Sequence, residues 1–216
     1  MKNLIASAFA VIFFFGMLSA QDATTHDPKA KKILDKVSAN TKAYKDLSIV
    51  FKYTIENKQQ DISETHDGFA FMQGQKYKII IPGNEIISDG KTIWSVQSEA
   101  EEITITAPSE GDDDFFNPAK LFTIYEKGFK YQYLGEEGTN YVIDLIPEKA
   151  NEKNFSRVRL NVDKVKNQLT AIKTFRKDGY VFSINVSDFK PNTNLPTEFF
   201  NFNKTNYSGF EIIDMR

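Results

Sequence analysis

Ile86-Ile87-Ser88-Asp89-Gly90-Lys91-Thr92-Ile93-Trp94-Ser95-Val96 decides the fold: two apolar runs meet at Asp89-Gly90, and the single tryptophan stands four residues beyond the glycine. A tight primed turn needs positive φ, which glycine adopts without a Cβ penalty and aspartate tolerates, so the stretch reads as a β-hairpin. On its N-terminal side Tyr77, Ile79 and Ile81 alternate with Lys78 and Ile80 and stop at Pro82-Gly83, a strand with its own turn. Gly74-Gln75 separates that strand from one carrying Phe69 and Phe71, and Asn57 to Asp61 separates it in turn from the alternating run Ile49, Phe51, Tyr53, Ile55. Further upstream, Asp27-Pro28 reads as a helix start, aspartate capping and proline in the first turn. Ala30, Ile33, Leu34, Val37 and then Tyr44 and Leu47 make one apolar stripe on an otherwise charged helix.

Downstream of the hairpin, a strand around Ile103 to Thr106 leads into the acidic loop Ser109 to Asp114. Phe115-Phe116-Asn117-Pro118 follows, with Asn117 placed to cap a short helix containing Ala119, Leu121, Phe122 and Tyr125. Strands are expected at 129–134, 141–146, 158–162, 169–175 and 180–189, with another short one at Phe199 to Phe202. One helix followed by closely spaced strands indicates an antiparallel meander rather than a βαβ sheet. No linker or fixed-period repeat divides the chain.

Residues 1–20 stand apart. Lys2, the apolar stretch Leu4 to Leu18 and the small pair Ser19-Ala20 read as a cleaved export signal, shorter than the roughly 20 residues of a membrane span, with an uncleaved membrane anchor as the rival reading. Residues 21–216 are then expected to form a single domain, large enough for a sizeable core. The chain has no cysteine, which excludes disulfides and a lipid-modified cysteine after the leader. Its net charge is −2 and its lysines are spread along the sequence with no dominant basic run, so neither nucleic acid nor an anionic membrane is an expected partner.

Catalytic chemistry finds few candidates. His26 and His66 are the two histidines, both in polar surroundings, and without cysteine there is no ligand set for zinc or thiol chemistry. Asp112 to Asp114 lacks the alternating oxygens of a calcium loop. The serines at 88, 95, 98 and 109 sit in no nucleophile-elbow pattern, and no phosphate-cradling glycine loop occurs. No cofactor or metal is therefore expected. What stands out is aromatic surface, 19 Phe and 9 Tyr, which either fills a core or lines a lipid-sized cavity.

A resemblance favours the cavity. Lys31 to Val37, Phe51, Gly68 to Met72, Lys76 to Ile79, the hairpin Ser88-Asp89-Gly90-Lys91-Thr92-Ile93-Trp94, Asn117-Pro118-Ala119, Ile143 to Pro147, Val158 to Asp163, Phe200-Asn201-Phe202 and Gly209 to Asp214 resemble, in order, the outer-membrane lipoprotein carrier proteins, LolA. The resemblance implies a mainly β, α+β fold: an unclosed antiparallel half-barrel of about 11 strands, with an N-terminal helix and short lid helices on the concave side. It also implies a periplasmic chaperone, monomeric and not an enzyme. Such a chaperone takes acylated lipoproteins from an inner-membrane lipoprotein-releasing ABC transporter and hands them to the outer membrane, where an acceptor can receive them.

On that footing the expected lipid-binding residues are Leu34, Val37, Phe51, Phe69, Phe71, Tyr77, Ile79, Trp94, Phe115, Phe116, Leu121 and Phe122, the last four as the lid. Well-studied relatives carry an arginine before the Tyr77 strand that bonds to the lid. Here the segment reads Met72-Gln73-Gly74-Gln75, so the latch falls to an uncharged Gln73. Two other readings stay open: the lipid- or lipoprotein-sensing domain of an envelope stress regulator, and a lipid or glycan hydrolase, which would need paired carboxylates on facing strands.

Overall fold

A computed structural model describes residues 26–108 and 117–216. Helix α1 (Pro28–Ala43) starts as its sequence predicts: Asp27 Oδ1 accepts from the Lys29 and Ala30 amides at 2.7 and 3.2 Å, and Pro28 occupies the first turn. It buries Ala30, Ile33, Leu34 and Val37 and ends at Ala43, so Leu47 belongs to the first strand and not to the helical stripe.

Six strands follow in hairpin order: β1 (Leu47–Asn57), β2 (Ile62–Gln73), β3 (Lys76–Ile81), β4 (Asn84–Ser88), β5 (Ile93–Gln97) and β6 (Glu102–Thr106). The short helix α2 (Pro118–Leu121) and a 3₁₀ turn (Ile124–Glu126) interrupt them. Then come β7 (Phe129–Glu137), β8 (Asn140–Pro147), β9 (Phe155–Asp163), β10 (Leu169–Arg176), β11 (Val181–Pro191) and β12 (Glu211–Asp214). They make one unclosed sheet in the order β12-β6-β5-β4-β3-β2-β1-β11-β10-β9-β8-β7. Among the described residues every pairing is antiparallel except β12 on β6, and the strands number twelve, one more than expected.

Two local expectations change. Asp89-Gly90 is half of a four-residue loop, because the ladder pairs Ser88 with Ile93. Gly90 has φ +90°, while Asp89 acts through its side chain, Oδ1 accepting from the Lys91 and Thr92 amides at 2.8 Å each. Phe199 to Phe202 is no strand: a 3₁₀ turn (Thr197–Phe200) carries these rings over the sheet, and the β-branched pair Ile212-Ile213 makes the real C-terminal strand.

The two faces are covered differently. On the inner face α1 lies over the β7 side, and Ile143, Leu145, Val158 and Leu160 beneath it are at most 2% exposed. On the outer face the C-terminal segment spreads aromatic rings across β2 to β5: Phe199 meets Phe71 edge-on at 5.0 Å, and Phe202 stacks between Trp94 at 5.3 Å and Tyr207 at 5.4 Å. Buried Asp46 anchors the start of this strap, accepting from the Thr193 amide and hydroxyl and from the Asn194 and Leu195 amides. Burial would push its carboxyl up, but these donors outweigh it and hold the group below the usual carboxylate range. The outer edge of β7 is capped by the chain entering α1, where the Asp27 amide donates to the Tyr131 carbonyl and Asp27 Oδ2 accepts from the Tyr133 amide.

Candidate functional site: an apolar cavity under a short lid

The strand register builds the site. Phe189, Ile49, Ala70, Ile79, Ile86 and Ser95 form one row across β11, β1, β2, β3, β4 and β5, each paired with the next. A second row runs Val186, Phe51, Gly68, with Ile81, Asn84 and Gln97 in line beyond it. Because side chains alternate between faces, both rows point inward. On β2 the inward residues include Gly68 and Ala70, small enough to leave room above the sheet. Leu121 and Phe122 close that room from above, with Pro118 beside them.

The result is a cavity of about 440 Å³, within the roughly 300–1,000 Å³ of ligand pockets. Its walls are Ile49, Phe51, Tyr53, Ile79, Ile81, Ile86, Ile172, Ile184, Val186 and Phe189, and Asn84, Ser95 and Gln97 make one end polar. Such a shape takes an apolar chain and offers hydrogen bonds at one end. Burial raises the Tyr53 hydroxyl above its ordinary pKa, as expected for a phenol on an apolar wall.

Of the residues named from the sequence, the structure places Phe51, Ile79, Leu121 and Phe122 on the cavity wall. Leu34, Val37 and Tyr77 face inward but are packed into the core, 2%, 2% and 3% exposed. Phe69, Phe71 and Trp94 lie on the opposite face. Phe71 pairs with Lys78 and Trp94 with Ile87, the register positions that alternate with the inward Ile79 and Ile86. Phe71 and Trp94 serve the aromatic strap, and Phe69 is exposed. Phe115 and Phe116 lie outside the described residues.

Gln73 is not placed as a lid latch. Its Nε2 donates to the Leu195 carbonyl at 3.1 Å and its Oε1 accepts from the Thr197 hydroxyl at 3.2 Å, which ties down the strap. The lid segment is held instead by α1. The Tyr125 hydroxyl donates to Asp35 Oδ1 at 2.9 Å, Lys31 bonds both Asp35 oxygens, and Lys42 meets Glu126 at 3.4 Å. The Lys31 ammonium, then the Tyr125 hydroxyl, hold the Asp35 carboxyl below its ordinary range, while burial and that carboxylate push the Tyr125 phenol up. Among the described residues no group of three His, Cys, Asp or Glu side chains could hold a metal ion.

A family model described as "Outer membrane lipoprotein carrier protein LolA" matches residues 42–203. Among solved structures, the chain is similar to an uncharacterized conserved protein from Thermus thermophilus. The identity is 14% and the TM-score 0.56, over 86% of this chain and 99% of that one, a likeness of fold. It is also similar to a putative outer membrane lipoprotein-sorting protein domain from Vibrio parahaemolyticus, at 14% identity and TM-score 0.47 over 83% and 98% of the two chains. A third is a LolA superfamily protein from Nitrosomonas europaea, at 14% identity and TM-score 0.44 over 80% and 97%. No curated protein matches the chain.

Proposed function

Starting from a chain that belongs to the family of outer membrane lipoprotein carrier proteins, LolA, we propose that it is an exported chaperone that shelters the acyl chains of lipoproteins in the cavity beneath its lid. It takes them as they leave the inner membrane, from a lipoprotein-releasing ABC transporter, and carries them across the periplasm to the outer membrane. The observation that carries this reading is the cavity itself, apolar along its length and polar at Asn84, Ser95 and Gln97.

Each methylene withdrawn from water contributes about 0.8 kcal/mol, so a multiply acylated protein needs a sheath to cross an aqueous compartment. At about 30 Å³ for each water-sized group, 440 Å³ holds one acyl chain. Additional chains enter when α2 and the turn after it lift from the sheet. The polar end suits the ester and amide groups at the head of the lipid, and binding and release need no bond to be made or broken.

Mass spectrometry of the protein purified from the periplasm of its own host tests the assignment. Co-purifying triacylated lipoproteins support the carrier. A preparation that is empty and turns over lipid esters overturns it in favour of a hydrolase, and one that retains free lipid without lipoprotein overturns it in favour of a lipid-sensing domain.

A further inference from the structure

Helix α1 carries Lys29, Lys31, Lys32, Lys36 and Lys42 against one acidic residue, Asp35, and all six are exposed. Three of the lysines stand in the first two turns, where the helix macrodipole is positive and carboxylates are favoured, and the first turn has no acidic residue. The placement costs helix stability, so it calls for another reason. Lys32 and Lys36 have no partner among the described residues, whereas Lys29 lies over the Tyr133 ring at 3.8 Å and Lys31 and Lys42 are paired.

The cationic surface continues onto the β9–β10 turn. There Asn40 Nδ2 donates to the Lys166 carbonyl at 3.4 Å, and Val165 is 87% exposed between Lys166 and Lys164, the latter paired with Glu136 at 2.8 Å. This surface stands beside the lid, since α1 holds Tyr125 and Glu126. The chain as a whole carries −2 and its lysines are spread along the sequence, but the fold brings those of α1 and Lys166 onto one surface.

We propose that this surface docks the protein on anionic lipid headgroups, with the lid turned towards the bilayer and the Val165 tip in the headgroup layer. The inference rests on the carrier reading, to which it adds the partner surface. Phosphate headgroups fit because they attract clustered lysines over a Debye length of about 8 Å at physiological salt, and the exposed α1 lysines, Lys32 and Lys36 foremost, set the orientation on approach. Docking in this pose puts the cavity next to the membrane that gives up or receives acyl chains.

Flotation of the purified protein with mixed phosphatidylglycerol–phosphatidylcholine vesicles, against pure phosphatidylcholine, tests it. Binding is expected on the mixed vesicles, weaker as salt rises. The double variant Lys32→Glu, Lys36→Glu is expected to lower it by about tenfold or more, and Val165→Ser by a few-fold. These positions are outside the cavity, so the same variants should keep their melting temperature and their affinity for a fluorescent fatty acid. Equal binding to both vesicle types, or a double variant that binds as wild type, overturns the proposal. So does a double variant that floats normally yet fails in lipoprotein delivery, which would assign the lysines to an acidic protein partner. A protein that floats but takes no fatty acid would instead sink the carrier reading and leave the docking result standing.

Discussion

A Cβ on Gly68 would stand 2.4 and 2.5 Å from Cζ and Cε2 of Phe51 and 3.0 Å from Ile81 Cγ2, so this glycine is what allows the Phe51 ring to lie across β2 on the cavity wall. Gly68→Ala should push the ring into the cavity, destabilising the protein by roughly 1–3 kcal/mol through overpacking and weakening fatty-acid binding. Adding Phe51→Leu should restore part of both. Urea unfolding and a fluorescent fatty-acid titration measure the two effects, and an alanine variant as stable as wild type would mean that the ring has free space to enter. The same pair shows what was legible at this scale. Ile49, Phe51 and Tyr53 could be read as an inward face from their alternation, but on β2 bulk pointed to Phe69 and Phe71 while the pleat turns Gly68, Ala70 and Met72 inward. For Trp94 the signal was present: an even-numbered loop at Asp89-Gly90 keeps it on the face opposite Ile86.

At the scale of elements, the lid is a four-residue helix and a 3₁₀ turn, too short to stand alone, so α1 and the sheet must hold it. Tyr125→Phe keeps the packed ring and deletes the bond to Asp35, and should speed release of a bound fatty acid by a few-fold. Stopped-flow transfer to acceptor vesicles reads this, and an unchanged rate would assign lid closure to the packing of Phe122 and Ile124 alone. The Asp35 carboxyl is held down in the folded protein, chiefly by Lys31 and then by Tyr125. Its contribution is therefore fully present above the ordinary aspartate pKa of about 4 and is lost as pH falls through the lowered folded value. Release should be flat from neutral pH to about 5 and quicken below about 4, whereas Asp35→Asn should be faster throughout and lack that acid limb. Sequence could not supply this contact, because its partners are 90 residues apart and neither is unusual in its own segment. It supplied the cap of α1, where Asp27 and Pro28 act within a single turn.

For the molecule as a whole, one inward-facing surface does two jobs. The hairpin meander was legible because each strand pairs with a neighbour a few residues away. The strap and the parallel pairing of β12 with β6 were not, since they join segments about a hundred residues apart without a turn to announce them. The division of labour follows from what lies above the sheet: α1 fills the space over Ile143, which is 0% exposed, whereas the short lid leaves space over Ile79. A charge at the two positions should therefore have opposite consequences. Ile143→Asp places a carboxylate in a packed core with no partner and should cost roughly 4 kcal/mol or more, enough to unfold much of the protein. Ile79→Glu puts its carboxylate in a cavity that water can enter when empty, so stability should fall by about 1–2 kcal/mol while fatty-acid affinity is lost, because a chain entering beside the charge must strip its hydration. Melting temperature and fatty-acid titration on both variants decide the matter. Equal losses of stability at the two sites would mean that Ile79 is ordinary core and that the space above it is no binding site.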